Sequence, residues 1–424
     1  MPYAPRCLTV LTTCFFVLLS LATAPGRGEN WSRFRGPNGA GISSEKGFPV
    51  AWSDSDYLWK TKLPGLGHSS PCVWDDHVFV TSAENQGRVR IVLDVSATTG
   101  EIRWARRLDF ETDKLNQRNS HASATPACDG QRVYVAFGSD PSYLLVAFDL
   151  EGTELWRYDL GPFESQHGTG ISPVVFEDLV ILGNDQDGSS FIVAVDAKTG
   201  KLRWKVDRNV SGAVEKAASY ATPIVINGEF NQQELIFTSQ ADGMASYDPR
   251  TGKLNWRADI FPARCCGSPV YGNGLLFATC GGGGQGKYMA AVKPGGSGDR
   301  DGSAVTWKRE RVLPYVPTPI VYGDHLYLWG DNGIVNCVVA KTGEEKWSQR
   351  LEGRNMFSGS PICVDGKLYC VSEAGDVIVL AASPEFQVLG STPLGEGSHA
   401  TPAVSNGRMF IRGFEHLFCL EAKK

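Results

Sequence analysis

The 424-residue sequence has no run of lysine or arginine, only seven histidines and five methionines, and no apolar stretch with helical periodicity. With 41 basic against 46 acidic residues and a pI near 5.9, it offers no broad positive field to a phosphate backbone, which argues against nucleic acid as a partner. Its 11 cysteines are too sparse for a disulfide scaffold. Beyond the first two dozen residues no apolar run approaches bilayer length, so no transmembrane span is expected in the mature chain. What is abundant is glycine (48) and proline (23) in a chain that is 42% hydrophobic, the composition of many short strands joined by turns.

The opening residues carry one arginine, an apolar run from about Cys7 to Leu21 and then small residues, the layout of a secretory signal. Residues 1–24 are therefore expected to be a signal peptide, cleaved after Ala22 or Ala24, and the protein to be exported to the periplasm, cell envelope or exterior; an uncleaved anchor is the alternative. Loss of Cys7 and Cys14 would leave an odd nine cysteines in an oxidising compartment, most of them small core hydrophobes.

A repeat organises the rest. Ser-Pro or Thr-Pro followed by a short apolar run recurs eight times, with prolines at 71, 126, 173, 223, 269, 319, 361 and 402. Each is followed by a turn pair such as Asp129-Gly130, Asn273-Gly274 or Asn406-Gly407, a β-rich run and further strands. The unit closes on Thr-Gly, three residues and Trp, intact at Thr99–Trp104, Thr199–Trp204, Thr251–Trp256 and Thr342–Trp347 and degenerate at Trp156 and Trp307. Eight such units predict an all-β fold: an eight-bladed β-propeller of four-stranded antiparallel blades occupying residues 52–424. The last unit supplies only three strands, so the N-terminal strand Tyr57–Leu63 is expected to close its blade and remove the open edges.

At Ala194–Trp204, "AVDAKTGKLRW", the sequence resembles the tryptophan-docking motif of the pyrroloquinoline-quinone (PQQ) repeat family, and the resemblance extends from about Trp52 to Leu420. Departures occur at Ser96 and Val339, where the motif has Asp, and in a Gly-rich insertion of the fifth repeat. The resemblance implies a fold shared by quinoprotein alcohol dehydrogenases and by non-enzymatic BamB-like scaffolds of outer-membrane assembly. The leader Asn30–Gly41, "NWSRFRGPNGAG", resembles a segment of exported proteins of this type. Residues 25–51 are read as an extended strap over the closing blade, with Trp31 and Phe34 packing and Arg35 bonding carbonyls; ligand contact through Arg35 is the alternative.

Several stretches suggest chemistry. "CGGGGQGKYMA", Cys280–Ala290, mimics a phosphate-binding loop, but Tyr288 replaces the magnesium-binding Ser or Thr and the repeat makes the stretch a hairpin. Asn184, Asp185 and Asp187 alternate like calcium ligands, although other repeats have ordinary Asx-Gly turns there. His68, His121, His167 and His399 precede repeat prolines in blades one, two, three and eight, on loops that enter the innermost strands at one mouth of the funnel. The position three before each proline gives a mixed ring of His68, Ser123, Gly170, Tyr220, Cys266, Val316, Ser358 and His399. The candidate ligand-binding residues are thus His68, His121, His167, Tyr220, Cys265, Cys266 and His399, with no metal site assigned. Cys265 and Cys266 leave three states open: a vicinal disulfide, a bridge from Cys265 to Cys280 on a diagonal position, or free thiols.

A PQQ dehydrogenase needs calcium held by carboxylate and amide oxygens, a carboxylate base, a cation at the quinone oxygen and an aromatic floor. No motif positions these residues, and the acids of the entry loops, Glu164, Glu215, Glu352 and Glu396, form no recognisable pair. The favoured expectation is a non-enzymatic exported propeller binding an envelope protein or small ligand at the funnel mouth, without a resident cofactor. The alternative is a PQQ- and calcium-dependent, or otherwise metal-dependent, oxidoreductase.

Overall fold

Each repeat folds as a four-stranded antiparallel sheet whose first strand lies innermost. In blade one these are Cys72–Trp74, His77–Glu84, Val89–Ser96 and Ile102–Asp109, and eight such sheets form the ring. The computed structural model describes residues 1, 3, 29–112, 115–116, 118–208, 218–228, 231–353 and 355–423; nearly all of the expected signal segment, and Glu215, lie outside these. Six of the eight inner hairpins turn on two residues, as between Gly272 and Leu275. There Asn273 and Gly274 both have positive φ, 53° and 80°, the conformation that Asx-Gly pairs tolerate and tight hairpins require. The eighth blade closes as expected: Tyr57–Lys62 pairs antiparallel with His416–Glu421 as its outermost strand.

The Thr-Gly and Trp signals interlock neighbours. Trp59, Trp104, Trp156, Trp204 and Trp307 each lie over the Thr-Gly-type turn glycine of the next blade, where a Cβ on Gly100, Gly152, Gly200, Gly252 or Gly343 would come within 2.6–2.7 Å of the indole. Each of these indoles also donates its N–H to a carbonyl of that blade, for example Trp104 Nε1 to Leu150 O at 2.8 Å. Trp347 meets a seventh repeat that lacks Thr-Gly, yet donates to Ser383 O at 3.2 Å; among these docking indoles only Trp256 finds no carbonyl of the next blade. It donates to Glu234 instead, and the Gly-rich insertion returns as Gly298–Arg300 to pair parallel with the outer edge of blade four.

Only the second half of the leader lies against the closing blade, where Gly407 N donates to Glu45 at 2.8 Å and Lys423 N to Gly47 O at 2.9 Å. The first half enters the axial channel from the side opposite the funnel as a hairpin: Trp31 bridges Val73 of blade one, Cys128 N donates to Ser32 O, and Ile42–Ser43 runs parallel to the innermost strand of blade seven. Its two arginines act as spokes. Arg33 Nη2 reaches Pro223 O at 2.6 Å, while Arg35, 0% exposed, reaches Pro361 O at 2.8 Å and Pro319 O at 2.9 Å. These carbonyls belong to repeat prolines, and innermost strands have no further strand to satisfy them. Arg35 is thus spent on the scaffold, leaving Phe34 at the hairpin tip to form the funnel floor.

Candidate functional site

The Ser-Pro and Thr-Pro signals have a structural purpose beyond starting a strand. The backbone N–H of each Ser or Thr donates to the side-chain hydroxyl of its counterpart in the next blade. The series runs Ser70 to Thr125, Ser172, Thr222, Ser268, Thr318, Ser360 and Thr401, and back to Ser70. All eight bonds measure 2.9–3.0 Å, so the ring is complete. Every one of these residues faces a cavity of about 1210 Å³ above Phe34. All eight residues three positions before the prolines line it as well, forming a second ring one step nearer the mouth.

Within this ring His68 and His399 meet, their centroids 4.3 Å apart and both packed on Phe414. Burial depresses the pKa of both imidazoles, that of His68 to about 3, helped by its neighbours His399 and Arg412. They therefore stand neutral at pH 7. His167 lies edge-on to Tyr220 at 6.2 Å, and the Tyr220 hydroxyl is 2.7 Å from Ser165 Oγ. Two candidates fall outside the cavity wall. His121 is turned toward Gly87 and Arg90 of blade one, because the connector between blades one and two is long enough to fold back on that blade. Cys265 is 0% exposed and faces the core between blades four and five, since adjacent side chains of an extended segment point to opposite sides.

The nine described cysteines are all unbridged, so the vicinal pair is not joined. The Arg264–Gly281 bridge departs from the register of the inner hairpin and brings Cys265 alongside Cys280 rather than diagonal to it. Only Cys266 faces the cavity. Burial pushes its thiol up to about 12, beside the Tyr315 hydroxyl and the Arg264 guanidinium.

The glycine run is a hairpin between Leu275–Gly282 and Gln285–Val292, with a strand where a phosphate loop would need a helix. The calcium reading fails differently: the buried Arg208 guanidinium lies 3.2 Å from Asp185, Gln186 donates to Asn184 Oδ1, and Asp187 accepts from the backbone N–H of Ala218 at 3.1 Å, so all three candidate ligands are already engaged.

One contributor carried no repeat signal. Arg118, on the connector between blades one and two, reaches across the mouth to Ser358 and Glu373 of blade seven. A Cβ on Gly284, at the tip of the glycine hairpin, would lie 3.3 Å from the Arg118 guanidinium, so connector and hairpin approach over the cavity. The longest interval between repeat prolines, Pro71 to Pro126, was the one sequence sign of this connector.

Among the described residues no aspartate or glutamate lines the cavity, although Glu373 stands behind it against Arg118, Ser358 and His399. Glu164, Glu352 and Glu396 lie elsewhere, Glu396 being bound to His416 at 2.7 Å. Among the described residues no three His, Cys, Asp or Glu side chains gather to hold a metal. Calcium requires six to eight hard oxygen ligands, usually with carboxylates. Phe34 supplies an aromatic floor, but the donor set of the described residues does not fit a calcium-PQQ centre.

No helix among the described residues is long and apolar enough to cross a membrane. Tetrathionate hydrolase of Acidithiobacillus ferrooxidans is 24% identical over 272 residues, 60% of this chain; the chain spans only about half of that relative, 49%. BamB of Yersinia pestis is 22% identical over 368 residues, covering 84% of this chain and 86% of that protein. The structure of quinohemoprotein alcohol dehydrogenase from Comamonas testosteroni superposes with a TM-score of 0.65 at 13% identity, covering 94% and 81% of the two chains, a likeness of fold alone. The model of the family described as outer membrane protein assembly factor BamB matches residues 42–141, 141–257, 222–355 and 297–385. Most of the ring is thereby accounted for, and the chain belongs to this BamB-type PQQ-repeat family of eight-bladed propellers.

Proposed function

We propose that the protein is a non-enzymatic, exported propeller of the cell envelope that engages its ligand or partner at the funnel mouth. The observation that carries this reading is the funnel itself. It is a cavity closed below by Phe34 and lined by two rings of eight residues; among the described residues its wall offers no carboxylate cluster, and the one carboxylate at its edge, Glu373, is bound to Arg118 and Ser358 and lies 3.8 Å from His399. The whole-length likeness to BamB and the signal-like leader support export and an envelope partner.

A photo-crosslinking residue at Gln285, exposed on the rim, should give discrete adducts in envelope extracts, while one at Leu202 on an outer strand should not. Equal labelling at both positions, or none at Gln285, overturns engagement at the mouth. Titration with PQQ and calcium should give no saturable binding; saturable binding with dye-linked alcohol oxidation would establish the enzyme instead.

A further inference from the structure

The charges on the funnel wall are all of one sign. Arg118, Arg264 and Lys287 line it with no carboxylate among the described lining residues, in a chain of net charge −5. Arg118 is neutralised from behind by Glu373, which also accepts from Ser358. Arg264 and Lys287 have no such partner: neither makes an ion pair among the described residues. Arg264 is the telling case, because it is only 9% exposed. Its Nε donates to Ala218 O at 3.1 Å and its guanidinium carbon lies 5.7 Å from the centre of the Tyr220 ring. Burial works against this charge, but the Tyr220 and Tyr315 hydroxyls beside it outweigh that and its pKa is raised, so it stays a cation at the wall with no carboxylate partner among the described residues. The carboxylate beneath this wall, Asp331, is committed to the backbone N–H groups of Tyr315 and Val316.

We propose that the funnel binds a small oxyanion-bearing ligand, a sulfur or phosphorus oxyanion or a polycarboxylate, seated between Arg264 and Lys287. This rests on the reading that the funnel mouth is the site of engagement and names the chemistry of what enters. The Arg264 fork matches two oxygens of such a group, Lys287 supplies a second charge, and Tyr220, Tyr315 and the hydroxyl ring supply neutral donors around it. A small ligand is favoured over an acidic protein surface because the cavity has a closed floor and because Arg118 and the glycine hairpin meet over it.

The test is calorimetric titration of the purified protein with sodium sulfate, sodium phosphate and trisodium citrate, each against sodium chloride at matched ionic strength. Saturable, salt-sensitive binding of at least one of the three is expected, and the preferred probe separates inorganic oxyanions from polycarboxylates. Lys287→Gln, at an exposed position, should weaken it about three- to fivefold. Arg264→Gln should weaken it about thirtyfold or more, with circular dichroism checking that the variant folds. If none of the anions binds better than chloride, or Lys287→Gln and a folded Arg264→Gln bind as the parent does, the proposal is wrong. Should Gln285 crosslinks persist in that case, engagement at the mouth stands and only its anionic chemistry falls; loss of both removes the two together.

Discussion

Replacing Arg35 by methionine would test whether the leader holds the ring together from inside. The guanidinium serves four backbone carbonyls, Gly39 and Ala40 of its own hairpin and Pro319 and Pro361 of blades six and seven. Methionine fills much of the space but donates nothing, so at least the two proline carbonyls, which face the channel, lose their donor. An orphaned buried acceptor costs about 1–3 kcal/mol, which puts the loss near 4 kcal/mol. Against this, burial alone pulls the Arg35 pKa down to about 9, and removing so poorly solvated a cation returns part of the cost. A net destabilisation of about 3 kcal/mol remains, which at ~2.1 cal/mol/K per residue over roughly 370 residues lowers the melting temperature by about 4 °C. Differential scanning calorimetry at neutral pH reads this directly. A variant melting within about 1 °C of the parent would show that the spokes are dispensable and that ring closure resides in the outer strands.

Other outcomes follow from the same geometry. Gly200→Ala places a Cβ about 2.6 Å from the Trp156 indole at a φ of +67°, and should cost about 2 kcal/mol or more in urea denaturation, whereas Gly274→Ala, with open space around it, should cost only its backbone strain. His68 has a folded pKa near 3 against about 6.5 in the unfolded chain, so the unfolded state binds more protons between these values and acidification through that window removes stability. A His68→Asn variant should therefore lose less stability than the parent between pH 7 and pH 4.5, and parallel melting profiles would refute this. Among the nine described cysteines only Cys266 should react with iodoacetamide in the native state, and slowly at pH 8, because its thiol is held near 12; peptide mass mapping before and after unfolding counts the rest.

The ring was legible in the sequence because a propeller repeats its constraints. A Ser or Thr before each proline must face the same cavity as every other, so placing one repeat places all eight, and the residues three positions earlier follow at a fixed offset. What lay outside the repeat was misplaced or missed. Arg33 and Arg35 find their partners 190 to 326 residues away through single carbonyls, which leave no periodic trace. Arg118 and His121 sit on one non-repeating connector, and one crosses the mouth while the other folds back on blade one. The adjacent cysteines illustrate the limit of proximity in sequence: their register set them at the mouth, but the extended backbone sends one thiol to the funnel and the other into the core.

The leader hairpin has a consequence for traffic. An open propeller is a pipe, through which a solute can pass from one face to the other; with Phe34 across its axis this one is a cup. Whatever enters must depart by the same rim, past the Arg118 connector and the glycine hairpin, so its dwell time depends on how readily those two segments part. A cup also has a direction. Docking it onto another surface rim-down would imprison its contents, and docking it rim-up would present them.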